Sequence, residues 1–117
     1  KWEASTSKLV QKKKSLHHFD NPKVAEAFAR IECHYFINKA FFNTDNWILK
    51  NINKIQHIPG AIIQGRYDVV CPMQSAWDLH KKLNHFEFYI INKAGHSMLE
   101  RDIQTQLIEC TNRFIKY

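Results

Sequence analysis

Two short apolar segments in the second half of the chain, residues 61–65 and 86–91, constrain its fold more than any other feature of the sequence. Turn-forming residues border both segments, which is typical of strands buried in a sheet. Apolar residues recur at helical spacing between the two segments, over about residues 75–83, and again over about residues 101–115. The order strand, helix, strand, helix predicts a parallel βαβ unit with a right-handed crossover. The residues of the last helix that we expect to face the sheet are Ile103, Leu107, Ile108, Cys110, Thr111 and Phe114.

The first half of the chain shows helical periodicity instead. Asp20 or Asn21 followed by Pro22 is typical of a helix start, and the apolar stripe that follows predicts a helix ending near residues 42–43. A shorter helix is predicted over about residues 46–55, and the pattern changes to that of strands after it. The members of the stripe are Val24, Phe28, Ile31, Tyr35 and Phe36.

Composition limits the classes of protein to which the chain can belong. Its 117 residues, 44% of them hydrophobic, suit one domain of ordinary size. No apolar run is long enough to span a membrane, and we see no secretion signal. The chain has three cysteines, Cys33, Cys71 and Cys110, which are odd in number and lack CxxC spacing. Such a set does not suit a disulfide framework, so we expect a reducing compartment and a cytoplasmic location. The chain begins at Lys1 without an initiator Met, which leads us to expect a fragment.

The loops that leave the two predicted strands carry the residues of greatest chemical interest. Parallel strands place these loops at one edge of the sheet, where catalytic groups collect. Asp68 lies in the first loop and His96 in the second, so we expect the two side chains to lie close together. A carboxylate can accept a hydrogen bond from the imidazole Nδ1, which fixes the tautomer and stabilises the imidazolium form. The order Asp before His matches the last two members of the α/β-hydrolase triad, in which Ser comes first.

Several segments resemble one known family, the proline iminopeptidases (prolyl aminopeptidases) of the α/β-hydrolase superfamily. The most specific is GRYDVVCP at residues 65–72, whereas AGHS at residues 94–97 would fit any α/β-hydrolase. The remaining similar segments are AWDLH at 76–80, FARIECHYF at 28–36, and Trp2-Glu3 followed by Ser5-Thr6-Ser7. Together these segments cover nearly the whole chain in order.

The resemblance implies an α/β fold that is the C-terminal part of an α/β-hydrolase. Residues 1–56 would be the C-terminal part of a helical cap domain, and residues 57–117 the C-terminal part of the hydrolase core, with two parallel strands and flanking helices. The nucleophile of such enzymes sits in a Gly-x-Ser-x-Gly elbow. No such motif occurs here, since Ser97 directly follows the predicted base and does not lie on a strand-to-helix elbow. We therefore expect the chain alone to be inactive.

The resemblance also implies a substrate and a role for individual residues. The family releases N-terminal proline from peptides through a Ser-Asp-His triad, without a metal or cofactor. Asp68 matches the triad acid and His96 the triad base. Glu3 and Glu32 match the carboxylates that hold the imino group, and Val70 and Cys71 match the floor of the proline pocket. Two carboxylates suit this substrate because N-terminal proline is a secondary ammonium with two N–H donors, whereas an internal proline carries no charge.

Three other functions stay open at this point. The net charge of +6 and Lys12-Lys13-Lys14 would favour a nucleic-acid-binding module if the basic residues formed one continuous face. Seven His and three Cys offer metal ligands, but none has the spacing of a zinc motif. A non-catalytic interaction or regulatory module derived from the hydrolase would associate through an exposed sheet edge or apolar face, for example with a second copy of the chain. We favour the peptidase, with a peptide carrying N-terminal proline as its partner rather than nucleic acid or a membrane.

Overall fold

The structure, a computed structural model, describes residues 2–10 and 20–115. Lys12, Lys13 and Lys14, on which the nucleic-acid alternative depends, lie outside these ranges. The α-helices are α1 (Trp2–Thr6), α2 (Pro22–Ile37), α3 (Trp47–Lys50), α4 (Met73–Lys82) and α5 (Arg101–Phe114). The strands are β1 (Ala61–Gly65) and β2 (Glu87–Ile91), and short 3-10 turns cover Lys39–Phe41 and Ile52–Lys54. None of the helices in the described ranges has the length and apolar character that crossing a membrane requires.

Helix α2 begins where its capping residues predict and ends earlier than its apolar pattern predicts. The Asn21 side chain accepts a hydrogen bond from the Lys23 backbone N–H at 3.0 Å, and Pro22 occupies the first turn. The helix stops at Ile37, and Lys39, Ala40 and Phe41 all have positive φ angles, between 50° and 62°. Left-handed backbone cannot continue a right-handed helix, so the predicted end near residues 42–43 is wrong.

The second predicted helix, over residues 46–55, is divided in two. The break is at Asn51, whose side-chain amide donates to the Trp47 carbonyl at 2.8 Å. The chain resumes as the 3-10 turn Ile52–Lys54. Asn competes with the backbone for hydrogen bonds, which favours interruption at this position.

Strands β1 and β2 form a parallel pair connected by α4, which confirms the predicted βαβ unit. The register runs from Ala61 opposite Glu87 to Gly65 opposite Ile91. The prediction that both strands are buried is wrong for the described residues, because Gly65 is their only buried position and Ile90 is 40% exposed. The reason is that each strand has a single strand neighbour in the two-stranded sheet.

The buried apolar residues in the described ranges are Leu83 at the end of α4, Ala94 after β2, and Ile103 and Cys110 on α5. On α5, Leu107 and Phe114 are half-buried and complete the stripe formed by Ile103 and Cys110 at spacings of three and four residues. Ile108 is 54% exposed and Thr111 is also exposed, so the prediction that these two face the sheet is wrong, since both lie off this narrow stripe.

A polar cluster joins the end of α5 to β2. The Arg113 guanidinium donates to Glu87 at 2.6 Å and to the Tyr89 hydroxyl at 3.0 Å, and Tyr89 donates to Glu87. The hydrogen bond from Tyr89 and the positive charge of Arg113 lower the pKa of Glu87 below its ordinary value. The same hydroxyl and the Glu87 charge raise the pKa of Arg113.

Candidate active site

Two loops meet at the carboxyl ends of the strands. We call residues 66–72 the aspartate loop and residues 92–100 the histidine loop. The Arg66 backbone N–H donates to the Ile91 carbonyl at 3.0 Å, and the Tyr67 N–H donates to the Ala94 carbonyl at 2.9 Å. The parallel hydrogen-bond ladder therefore continues past the strand ends and holds the loops side by side.

The structure brings Asp68 and His96, the predicted acid and base, into direct contact. His96 Nδ1 lies 3.0 Å from Asp68 Oδ2. The Asp68 side chain is 6% exposed and the His96 side chain is 39% exposed, so the pair reaches from the interior to the surface. Because a carboxylate only accepts, the contact favours the tautomer with its proton on Nδ1. That tautomer leaves the Nε2 lone pair free to take a proton.

The Asp68 carboxylate is fixed by further donors from its own loop and from β1. Its Oδ1 accepts the backbone N–H groups of Val70 and Cys71 at 3.0 and 2.7 Å. Its Oδ2 accepts the Gln64 side-chain amide at 3.3 Å, in addition to the bond from His96. Gln64 also donates to the Cys71 carbonyl at 3.1 Å and so bridges both ends of the loop. The folded chain therefore fixes the orientation of the Asp68 carboxylate, as the predicted role of triad acid would require.

The histidine loop is held on its other side by the N-terminal segment. The Ser7 carbonyl accepts the backbone N–H groups of His96 at 2.9 Å and Ser97 at 2.7 Å. The Glu100 carboxylate accepts the Gly95 N–H at 2.7 Å through one oxygen and the Leu9 N–H at 3.1 Å through the other. Three successive backbone N–H groups of the histidine loop are thus bonded to the segment 7–9 or to Glu100.

Sequence reasoning missed Gln64, Ser7 and Glu100. Gln64 occupies an ordinary strand position, and Ser7 acts through its backbone carbonyl, which carries no sequence signal. Glu100 immediately precedes α5, where an acidic residue is a common helix-start choice. Its contact with Leu9 joins residues 91 positions apart, which no local pattern reveals.

The other predicted site residues have varied surroundings. Val70 and Cys71 lie in the aspartate loop with exposed side chains. Glu32 is half-buried on α2. Glu3 belongs to α1, and its side chain lies outside the described part of the structure. The roles of all six residues, Asp68 and His96 included, stay predictions.

One cavity in the described structure has walls that include neither Asp68 nor His96. It has a volume of about 620 Å³ and lies between residues 39–49 and the β1–α4 unit, with Phe42, Trp47 and Leu79 in its walls. None of the predicted site residues lines it. We therefore locate the candidate active site from the contact between Asp68 and His96 and not from the position of a cavity.

Metal ligands do not gather in the parts of the chain that the structure describes. No group of three or more His, Cys, Asp or Glu side chains there could hold an ion. Cys33, Cys71 and Cys110 are free thiols, of which Cys110 alone is buried.

A parallel βαβ unit with an Asp after one strand, hydrogen-bonded to a His after the next, is the arrangement found at the C-terminal end of an α/β-hydrolase core. No protein-family model matches the chain. Curated relatives do match it, and all three below cover at least nine-tenths of it. A probable proline iminopeptidase of Leptolyngbya boryana is 53% identical over 114 residues, which are 97% of this chain and 36% of the relative. A proline iminopeptidase of Arabidopsis thaliana is 48% identical over 108 residues, which are 92% of this chain and 28% of the relative. A proline iminopeptidase of Xylella fastidiosa strain 9a5c is 45% identical over 114 residues, which are 97% of this chain and 36% of the relative.

These matches confirm both the resemblance and the α/β-hydrolase fold. The chain spans about a third of the length of the curated relatives it matches. Over the part that it spans, the chain closely resembles these proline iminopeptidases.

Proposed function

We propose that this chain supplies the acid, the base and part of the substrate-binding site of a serine-type aminopeptidase that releases N-terminal proline from peptides. The observation that carries this proposal is the 3.0 Å contact between His96 Nδ1 and Asp68 Oδ2, at the carboxyl ends of two parallel strands. The names of the curated relatives support the same activity.

The proposed mechanism uses His96 twice. In the first step Nε2 accepts the hydroxyl proton of a Ser as its oxygen attacks the carbonyl carbon of proline, and Asp68 stabilises the resulting imidazolium. His96 then gives this proton to the leaving amine as the peptide C–N bond breaks, which leaves a prolyl ester on the Ser. Water attacks that ester with Nε2 again as the base, and free proline and the Ser hydroxyl are regenerated.

We place the nucleophile outside this sequence. Residues 1–117 contain no Gly-x-Ser-x-Gly motif, and the relatives extend well beyond the region that matches. It follows that the chain alone is inactive under this proposal and that the complete protein is active. We propose the cytoplasm as its location, because three cysteines without CxxC spacing suit a reducing compartment.

We propose that Glu3 and Glu32 recognise the substrate by its charge. The secondary ammonium of N-terminal proline has two N–H donors, one for each carboxylate, and charge-assisted hydrogen bonds of this kind are among the strongest available. A peptide blocked at its N-terminus has no positive charge and cannot donate two hydrogen bonds, so it would lack the contacts that the free imino group makes with both carboxylates. Val70 and Cys71 lie two and three residues after Asp68, where an apolar ring held near them would be close to the base.

The experiment that tests the proposal compares two arylamides with the complete protein. We expect the enzyme to release arylamine from the L-prolyl compound and not from its N-acetylated form. Glu32→Gln should raise KM for the prolyl compound while the esterase reaction with p-nitrophenyl acetate, which has no imino group, is retained. Absence of prolyl hydrolysis by the wild-type complete protein would overturn the proposal.

A second candidate, a non-catalytic interaction module, has support from exposed apolar side chains. On α2, Phe36 is 77% exposed and Ile37 is 81% exposed, and Ile31 is 62% exposed. An exposed apolar group of this kind marks many association surfaces. Self-association through this face or through the open sheet edge would support the module. A monodisperse monomer of the complete protein in light scattering, together with prolyl hydrolysis, would contradict it.

A further inference from the structure

Glu100 occupies the N-cap position of α5, but its side chain does not cap that helix. An N-cap side chain ordinarily accepts a hydrogen bond from the second or third backbone N–H of its own helix. The Glu100 carboxylate instead accepts the N–H groups of Gly95, in the histidine loop, and Leu9, in the N-terminal segment. A half-buried carboxylate that bridges two separate backbone segments in this way does more than start a helix.

The two bridged segments are in close contact. A Cβ on Gly95 would lie 3.0 Å from the Leu9 nitrogen, 3.2 Å from a Glu100 carboxylate oxygen and 3.3 Å from the Lys8 carbonyl carbon. The absence of a side chain at Gly95 therefore lets the N-terminal segment lie directly on the histidine loop. The Ser7 carbonyl adds its two bonds to the same loop.

The N-terminal segment also contains the predicted amine-binding residue. Glu3 lies on α1, and the chain leaves that helix at Thr6, one residue before the contact at Ser7. The hydrogen bonds that Ser7 and Glu100 make between the N-terminal segment and the histidine loop, which we call the joint, consequently set the position of α1 relative to His96.

We propose that Glu100 is a positioning residue that fixes the amine-binding segment at a set distance from the catalytic base. The inference rests on the proposed function, since it supposes that Glu3 holds the imino group and that His96 is the base. Under that function the enzyme must hold the proline nitrogen and the scissile carbonyl at the same time, so the separation between Glu3 and His96 decides which substrates react. The Glu100 carboxylate bonds to both segments, and Glu100 is not among the residues that we propose to contact the substrate.

The test uses Glu100→Ala and Glu100→Gln in the complete protein, with Glu109→Ala as the matched control. Glu109 is an exposed acidic residue on the same helix. Active sites are counted by titration with a fluorophosphonate, so that each rate refers to folded, competent enzyme. The measured quantities are kcat/KM for an L-prolyl arylamide and for p-nitrophenyl acetate, and the hydrogen-exchange rates of the Leu9 and Gly95 amides.

We expect Glu100→Ala to lower prolyl kcat/KM per titrated site by roughly 10- to 100-fold, the scale of loss that a displaced substrate contact produces. Ester hydrolysis per site should fall less than prolyl hydrolysis, because the Asp68–His96 contact and the two bonds to the Ser7 carbonyl remain. Glu100→Gln keeps one carbonyl acceptor and should give an intermediate value. The Leu9 and Gly95 amides should exchange faster, while the Arg66 amide, bonded to Ile91, should not. Glu109→Ala should match the wild type.

Two results would overturn the proposal: an unchanged prolyl rate per site, or an equal loss for both substrates, which would indicate general loosening. If Glu100→Ala does not fold, Glu100→Gln supplies the same comparison. A wild-type protein that releases no proline would contradict the proposed function instead, and the exchange rates of Leu9 and Gly95 would still decide whether Glu100 holds the two segments together.

Discussion

Gly65 and Gly95 meet through their backbones: a Cβ on Gly65 would lie 1.9 Å from the Gly95 carbonyl oxygen. Gly65→Ala should therefore push the histidine loop away from β1. We expect the free energy of unfolding to fall by about 1–3 kcal/mol, as for other overpacked sites, and prolyl hydrolysis to fall as His96 leaves Asp68. Denaturant unfolding of the complete protein measures the first effect. Lys93→Ala, an exposed change in the same loop, is the control, and equal stability of the two variants would contradict the expected clash.

Asp68→Asn should preserve the fold and remove most of the turnover. The Asn oxygen can replace Oδ1 as acceptor of the Val70 and Cys71 N–H groups, which turns the side-chain NH₂ toward His96. Nδ1 must then accept, so the proton moves to Nε2, the atom that has to act as base. We expect kcat to fall about 10⁴-fold, the loss measured for the same change in a serine protease triad. Asp78→Asn on α4 is the matched control, and a rate equal to wild type would rule out Asp68 as the acid.

Gln64→Glu should impair the site more than Gln64→Met. The Gln64 amide donates to the Asp68 carboxylate and to the Cys71 carbonyl, so a carboxylate at this position would face two acceptors without a proton to share. Met removes both bonds at similar volume without adding charge. We expect Gln64→Glu to lower kcat/KM by about tenfold or more, the scale of an unsatisfied polar contact, and Gln64→Met to lower it less. Equal losses would show that charge repulsion is not the cause.

Thiol chemistry tests the position of the proposed proline pocket. Cys33 and Cys71 are exposed and Cys110 is buried, so a bulky maleimide should react with the first two. We expect labelling to block prolyl hydrolysis in the wild type and in Cys33→Ser, and to have no effect on Cys71→Ser. A bound, non-hydrolysable proline analogue should slow labelling of Cys71 and not of Cys33. Equal labelling rates with and without the analogue would remove Cys71 from the pocket.

The Glu87 cluster should make stability depend on pH in the acid range. The pKa of Glu87 is lowered from its ordinary value of 4.5, first by the hydrogen bond from Tyr89 and then by Arg113. A carboxyl group with a lowered pKa in the folded state stabilises the protein above its unfolded-state pKa, and this stabilisation is lost as the pH falls through the folded-state pKa. The difference in unfolding midpoint between wild type and Glu87→Gln should therefore be present at neutral pH and shrink below about pH 4.5. Urea unfolding across this range measures it, with Glu109→Gln as control. A difference that does not vary with pH would contradict the assignment.

The parts of the fold that could be predicted are those that local patterns determine. The bounds of β1 match the apolar run that ends at Gly65, and Asn21 with Pro22 marks the start of α2. The end of α2 could not be predicted because Lys39, Ala40 and Phe41 adopt left-handed backbone without a glycine among them. The exposure of Ile90 and Ile108 depends on how many elements pack against the sheet, which the hydrophobicity of a single segment does not specify.

In the candidate site, too, some features could be predicted from the sequence and others depend on tertiary contacts. The proximity of Asp68 and His96 follows from strand direction, because parallel strands deliver both loops to one edge. The supports of the pair were not predictable, since Ser7 contributes a carbonyl group and Glu100 contacts a residue near the other end of the chain. Tertiary contacts of this kind become visible only when distant segments are placed together.

The joint between the N-terminal segment and the histidine loop also has a consequence for how the sequence can vary. Two of its bonds use the Ser7 carbonyl, which every amino acid possesses, so residue 7 can change over evolution with little effect on them. Two further bonds depend on one carboxylate long enough to reach both Gly95 and Leu9. Among homologues, the two bonds to the carbonyl of residue 7 should survive most substitutions there, whereas position 100 needs a long carboxylate and position 95 favours glycine.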